Sequence, residues 1–170
     1  SFGIQQVCPM CRVELPPGPE KLFEEAARRY FDVKRRVDRG EASWGALTKA
    51  QQREMDEVVR LFRSAAEQGH ARAQYELGIC HRDGEGVQQD GAEAARWFRK
   101  AGEQGHAKAQ YNLGGMYLNG KGVPLDFKEA VKWWRKAAEQ GYAPAQTSLS
   151  RMSGRGDDFQ QDFNGDAQLF

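Results

Sequence analysis

HARAQYELGICHRDGEGVQQDGAEAARWFRKAGEQG, His70 to Gly105, is followed without a break by HAKAQYNLGGMYLNGKGVPLDFKEAVKWWRKAAEQG, His106 to Gly141, and 20 of the 36 aligned positions are identical. A fixed period of this length marks a repeat architecture in which each unit closes its apolar face only against its neighbours. The register runs on in both directions: LFRSAAEQG (Leu61 to Gly69) matches the close of each unit and YAPAQTSLS (Tyr142 to Ser150) matches its opening. Two whole units are therefore flanked by two half units.

Each unit reads as a helical hairpin. The first helix is expected over 71–81 and again over 107–118, with Ala73, Tyr75, Leu77 and Gly78 recurring as Ala109, Tyr111, Leu113 and Gly114. Glycine inside a helix costs about 1 kcal/mol relative to alanine, so one that recurs in both helices implies close packing that offsets the loss. Gly84 and Gly86, then Gly120 and Gly122, permit the positive φ of a tight reversal. Asp90 and Asp126 stand three residues before Glu93 and Glu129, the spacing of a reciprocal N-terminal cap, so a second helix is expected after each. Its apolar face is Ala94, Trp97, Phe98 and Ala101, recurring as Ala130, Trp133, Trp134 and Ala137. Gly69, Gly105 and Gly141 fall where a left-handed terminator belongs, and Pro144 falls in a first helical turn, where a missing N–H is harmless. The fold class that follows is all-α: an α-solenoid of stacked antiparallel helix pairs, with Trp97 and Phe98 wedged between adjacent first helices.

Upstream, 20–37 reads as a further amphipathic helix carrying Leu22, Phe23, Ala26, Ala27, Tyr30 and Phe31, and Thr48 with Gln51 caps a longer helix that ends at Gly69. The chain then divides into 1–19, a zinc-finger remnant with a proline-rich linker; 20–69, capping helices; 70–152, the repeats; and 153–170, a tail rich in Gly, Asp and Gln that is expected to be mostly disordered. Phe159, Phe163, Leu169 and Phe170 in that tail could dock over the exposed end of the stack.

The Ala-x-x-Leu-Gly, Gly-x-Gly-Val and Trp-x-x-Lys-Ala-Ala elements at fixed spacing, over roughly 54–152, resemble the Sel-one-like repeat family, the 36-residue relative of the tetratricopeptide repeat. The resemblance implies an adaptor that holds protein partners together and does not imply catalysis. Gly102, His81 and Ser150 depart from the repeat pattern. Positions that differ between units are where a partner would be read, because the scaffold does not dictate them: Arg72 with Lys108, Glu76 with Asn112, Ile79 with Gly115, and Cys80 with Met116. The expected function is a non-catalytic scaffold binding a partner peptide or helix in the solenoid groove. On the second helices Arg60, Arg96 and Lys132 form a recurring basic set, and Arg63, Arg99 and Arg135 stand four residues before Glu67, Glu103 and Glu139, a solvated ion-paired face.

Cys8 and Cys11, in VCPMCR, have the spacing of half a tetrahedral zinc site, with two free surface thiols of no role as the plain alternative. The remaining candidates, Cys80, His70, His81 and His106, are explained by their repeat positions, so no cofactor is complete within this chain. A redox pair would need the first cysteine at a helix N-terminus, which Pro16, Pro17 and Pro19 oppose. Alternatively CPMCR resembles the closing ligand pair of a RING-type zinc finger. The chain would then be the substrate-binding part of a ubiquitin ligase, with zinc held by further ligands upstream of Ser1. Lysine and arginine number 25 against 24 acidic residues, so there is no one-signed field for nucleic acid or an anionic membrane. Three cysteines make no disulfide framework, and a reducing cytoplasmic setting is expected. The open end of the stack leaves room for association of one copy with another, which the sequence does not decide. No nucleophile elbow, His-Glu-x-x-His or phosphate loop is present.

Overall fold

The computed structural model describes residues 17–153. These form seven helices: α1 (Pro19–Asp38), α2 (Lys49–Glu67), α3 (Ala71–Asp83), α4 (Gly91–Glu103), α5 (Ala107–Asn119), α6 (Phe127–Glu139) and α7 (Ala143–Ser153). No strand occurs among the described residues. Successive helices pack pairwise as hairpins α1–α2, α3–α4 and α5–α6, each hairpin lies against the next, and α7 closes on α6. The four helices of the two full units are each 13 residues long.

Each boundary has a local cause. Gly84 and Gly120 end α3 and α5 in the left-handed region, with φ of 73° and 60°, and Gly69, Gly105 and Gly141 follow the second helices at 88°, 88° and 80°. The Asp90 carboxylate accepts from the Glu93 backbone N–H and Asp126 from that of Glu129, both at 3.0 Å. The reciprocal half of the expected cap is not made at Glu93, whose carboxylate is drawn forward to Arg96 and to the Trp97 indole N–H at 2.8 Å. Thr48 and Gln51 do form the full two-way box at the start of α2. His70 and His106 cap α3 and α5: each Nδ1 accepts from the backbone N–H three residues on, Ala73 at 3.1 Å and Ala109 at 3.3 Å. An accepting Nδ1 requires the neutral ring, and burial, with Lys108 and Arg72 nearby, holds the His106 pKa below its usual value.

The glycines inside α3 and α5 are notches for rings of the same hairpin. A Cβ on Gly78 would stand 2.6 Å from Phe98 Cε1, and one on Gly114 2.5 Å from Trp134 Cδ1. The neighbouring aromatic residues face the other way. Trp97 lies in the core cluster built from α1, α2 and α3, whereas Phe98 lies in the next one; Trp133 shares that second cluster and Trp134 the third. Sequence reasoning placed both rings between first helices. The structure instead sends one ring of each Trp-aromatic pair back into the preceding hairpin and keeps the other in its own. Trp133 Cζ3, for instance, comes within 3.1 Å of where a Cβ on Gly102 of α4 would be. All four rings are essentially buried, and each such side chain contributes about 1.5–3 kcal/mol through burial.

The α1–α2 segment, expected as a lid, has the build of a repeat unit. Phe23 and Phe62 pair at 5.9 Å between ring centroids, as Tyr75 and Phe98 do at 5.9 Å and Tyr111 and Trp134 at 6.1 Å. Phe23 stacks on His70 as Tyr75 stacks on His106. A longer α1 and a longer connection separate the two halves, which is why a fixed period does not reveal the relation. The unit is fastened to the next by Glu85 of the α3–α4 loop, buried against α1. There it accepts from the Tyr30 hydroxyl and pairs with Lys34 Nζ at 2.7 Å.

A polar chain runs alongside these apolar contacts. Gln74 Nε2 donates to the Ala66 carbonyl at 3.0 Å, Gln110 to that of Gly102 at 2.8 Å and Gln146 to that of Ala138 at 3.2 Å. The side-chain oxygens of Gln74 and Gln110 in turn accept from Gln104 and Gln140 of the following second helices, at 2.6 and 2.8 Å. One buried amide thereby ties the second helix of each unit to the second helix of its predecessor.

Candidate functional site

The first helices line a concave cleft of about 700 Å3 that runs from the end of α3 across α5 to Ser148 of α7. Its floor is Tyr111, Leu118 and the Trp134 ring, with Met116 beside them. The indole N–H of Trp134 is already committed to the Tyr111 carbonyl at 2.9 Å, so the ring offers an apolar surface held in place. Arg82 and Asp83, bonded to each other at 2.8 and 2.5 Å, form one wall, and Asn112, Asn119 and Lys121 supply polar groups around the mouth.

Gly115 makes the space. A Cβ there would meet nothing within 4 Å. The equivalent residue one unit earlier is Ile79, which is buried. The same scaffold position is thus filled by a side chain in one unit and left empty in the next, and the emptiness lies against the cleft.

The candidate contact residues fall into four groups. Asn112 and Met116 line the cleft. Arg72 and Lys108 are exposed in the first turns of α3 and α5, and the Arg72 guanidinium lies over the Phe23 ring at 5.0 Å. Glu76 is half-buried, and burial raises its carboxyl pKa against the opposing pull of Arg72. Ile79 and Cys80 are interior, Cys80 completely so, and burial pushes the thiol pKa well up, leaving a neutral packing side chain. His81, in the position of Tyr117, is buried with neither ring nitrogen hydrogen-bonded, and burial lowers its pKa. Tyr111, Trp134 and Gly115 as floor and opening were missed as a set, although the Ile79 and Gly115 difference was visible as a departure from the repeat.

The basic residues of the second helices pair differently from the sequence expectation. Arg60, Arg96 and Lys132 bond the glutamate three residues before them, Glu57, Glu93 and Glu129. Arg63 lies 3.7 Å from Glu93 of the next unit and Arg99 donates to the Tyr117 hydroxyl, so these arginines reach across units instead of along their own helix toward Glu67 and Glu103. Among the described residues no cluster of three His, Cys, Asp or Glu could hold a metal ion, and no helix is long and apolar enough to cross a membrane. Cys8 and Cys11 lie outside the described residues, as does all but the first residue of the 153–170 tail.

The Sel1 repeat family matches at residues 59–70, 71–106 and 107–142, which recovers the two full units and the end of α2. Among solved structures, the chain is similar to a Sel1 repeat protein from Oxalobacter formigenes at 34% identity, over 71% of this chain and 46% of that one, with a TM-score of 0.53. It is also similar to a protective antigen present in uropathogenic Escherichia coli strains that displays an SLR fold, at 39% identity over 78% of this chain and 28% of that one, with a TM-score of 0.56. Cysteine rich protein B of Helicobacter pylori shares the fold at 22% identity, over 76% of this chain and 92% of that one, with a TM-score of 0.54. The chain thus spans less than half the length of the first two. Comparison with curated proteins gives no significant match. The 36-residue hairpins, their glycine notches and their paired aromatic rings are those of Sel1 repeats, and the chain is a Sel1-repeat solenoid.

Proposed function

We propose that this chain is a non-catalytic interaction scaffold whose cleft receives an extended segment of a partner protein presenting one large apolar side chain. Sel1-repeat proteins are in general protein-interaction scaffolds, which supports the broad class. The observation that carries the finer reading is the gap at Gly115 above a fixed aromatic floor. An apolar side chain of the partner would occupy that gap, while the amides of Asn112 and Asn119 face its polar backbone. Concave sites with an apolar floor and few polar groups are the usual form of peptide and ligand pockets.

Closing the gap tests the reading. Gly115→Ile places in the second unit the residue that the first unit carries at this position. It is expected to abolish capture of the partner from a cell extract while the helical circular dichroism spectrum is unchanged. Asn112→Ala is expected to weaken capture. Full recovery of the same partner by Gly115→Ile would move the binding face elsewhere, to the exposed Arg72 and Lys108. The ubiquitin-ligase alternative would rest on Cys8 and Cys11 with ligands upstream, and zinc content measured on a longer chain tests it separately.

A further inference from the structure

Charge is disposed differently on the two kinds of helix, although the chain as a whole carries a formal net charge of only +1. On the second helices the recurring cations are matched by their own glutamates: Arg60 with Glu57, Arg96 with Glu93 and Lys132 with Glu129, at 2.6, 2.5 and 2.8 Å. Along α3, α5 and the turn that follows α5, several are not. Arg72 lies over the Phe23 ring, Lys108 is exposed in the first turn of α5, and Lys121 stands at the mouth of the cleft. None of the three forms an ion pair with a described residue. In α7, Arg151 is exposed at the place that Gly115 holds in α5, three residues after Ser148 of the cleft.

These residues share one face. Positions 72, 76, 79 and 83 of α3, 108, 112, 115 and 119 of α5, and 144, 148 and 151 of α7 follow at spacings of three and four, which is one stripe of each helix. Asp83, Asn112, Gly115, Asn119 and Ser148 of that stripe line the cleft, so Arg72, Lys108 and Arg151 belong to the same concave surface. Carboxylates free to answer them are few. Asp83 is held by Arg82 at 2.5 Å, and Asp90, between two lining residues, is committed to the cap of α4. Glu76 is half-buried, and burial raises its pKa against the pull of Arg72 and Lys108. The basic field is local to α3, α5 and α7: counting from the matched rings Phe23 and Tyr75, Glu20 and Glu24 hold the places of Arg72 and Glu76 on α1.

We propose that the partner segment is acidic, with Asp or Glu side chains on either side of its apolar anchor that meet Lys108 and Arg72 toward the start of α5 and Lys121 toward its end. The inference rests on the cleft as the binding site and names the chemistry of what enters it. Lys108 stands seven residues before Gly115 and Lys121 six after it, each roughly 10 Å along the helix axis. An extended chain crosses that distance in about three residues, which places the carboxylates close to the anchor in sequence. A nucleic acid would follow a continuous basic track, and here Asn112, the Gly115 gap and Asn119 interrupt it. Those amides and that gap suit a polypeptide backbone and one side chain. Complementary charge selects the partner and speeds encounter more than it adds affinity, so the lysines decide which segment binds and the gap decides how firmly.

Selection from a random peptide library displayed on phage, with the full chain immobilised, separates the two readings. The parent is expected to enrich peptides in which a large apolar residue is flanked by Asp or Glu. The double variant Lys108→Glu with Lys121→Glu changes two exposed side chains and is expected to enrich the same apolar residue flanked by Lys or Arg. A synthetic peptide of the parent-selected sequence should bind that variant about tenfold more weakly or worse, by fluorescence anisotropy. Added salt should weaken the parent complex and narrow the difference. Apolar anchors without acidic flanks, or the same acidic flanks chosen by the double variant, would overturn this inference and leave the cleft standing. Acidic flanks without an anchor, bound equally well by Gly115→Ile, would support the acidic segment and overturn the gap. No enrichment over a blank surface would overturn both. Displacement of the selected peptide by a single-stranded oligonucleotide at equal concentration would overturn the acidic segment in favour of a nucleic acid.

Discussion

Gly114 and Gly115 are neighbours in α5, and replacing each by alanine should move stability in opposite directions. At Gly115 the new methyl group meets nothing within 4 Å and the backbone is ordinary helix. What remains is the helix propensity difference, a gain of about 1 kcal/mol, which for a chain of this size raises Tm by about 2–4 °C. At Gly114 the methyl carbon would lie 2.5 Å from Trp134 Cδ1 and Nε1 and 2.9 Å from the Ala130 carbonyl oxygen. The indole cannot withdraw without breaking its bond to the Tyr111 carbonyl, and overpacking of this kind costs about 1–3 kcal/mol, enough to cancel or exceed the propensity gain. Both variants share the propensity gain, so they should differ by the overpacking cost alone, about 1–3 kcal/mol. Urea denaturation followed by circular dichroism reads this as midpoints displaced to either side of the parent with an unchanged slope. A Gly114→Ala protein as stable as Gly115→Ala would refute the notch, and a destabilised Gly115→Ala would refute the open cleft.

Gln110→Leu should cost about 1 kcal/mol in the same assay, since the Gly102 carbonyl keeps the Gly105 N–H when the amide is lost, and combining it with Gln140→Ala should cost less than the two separately. His106 caps α5 as the neutral ring and its folded pKa is depressed, so its contribution is whole above the unfolded value near 6.5 and is lost as pH falls below it. His106→Asn keeps an acceptor that does not titrate there, and thermal melts at pH 7.5 and 5.5 should show the variant gaining on the parent at the lower pH; a constant gap would count against the histidine cap. Lys34→Ala leaves Glu85 buried with only the Tyr30 hydroxyl. It should cost roughly 2 kcal/mol, less than the about 3–5 of a fully buried pair because the lysine is a third exposed. Adding Glu85→Gln should restore part of the loss, as read from the urea midpoint.

What could be read in the sequence was what the chain decides locally. The left-handed glycines, the Asp90 and Asp126 caps and the 3–4 spacing of the aromatic faces each depend on residues close in sequence, and each was legible. The kinship of α1–α2 with the later hairpins was not, because it resides in ring geometry between Phe23, Phe62 and His70 across a connection of different length. Glutamines 74, 110 and 146 recur visibly, yet nothing in their spacing says that they reach back eight residues to a carbonyl of the previous helix. Of the positions that vary between units, Asn112 and Met116 line the cleft, whereas Ile79 and Cys80 are buried away from it. Variation in a repeat has two causes, partner contact and local repacking, and position in the repeat does not tell them apart. The direction of Arg63 and Arg99 was misjudged for a similar reason, since both find partners in the following unit, an ion pair and a hydrogen bond, that helix periodicity cannot see.

The buried amides bear on how the stack deforms. Greasy surfaces alone would let one hairpin glide over another in small steps, each nearly as good as the last. Donors and acceptors spaced a turn apart do not permit such creep: a slide of an ångström or two would strand Gln74 and Gln110 between partners. The pitch of the solenoid is therefore indexed like a toothed rack, and strain along its axis should be answered by a whole hairpin letting go, with the curvature of the cleft held constant until it does.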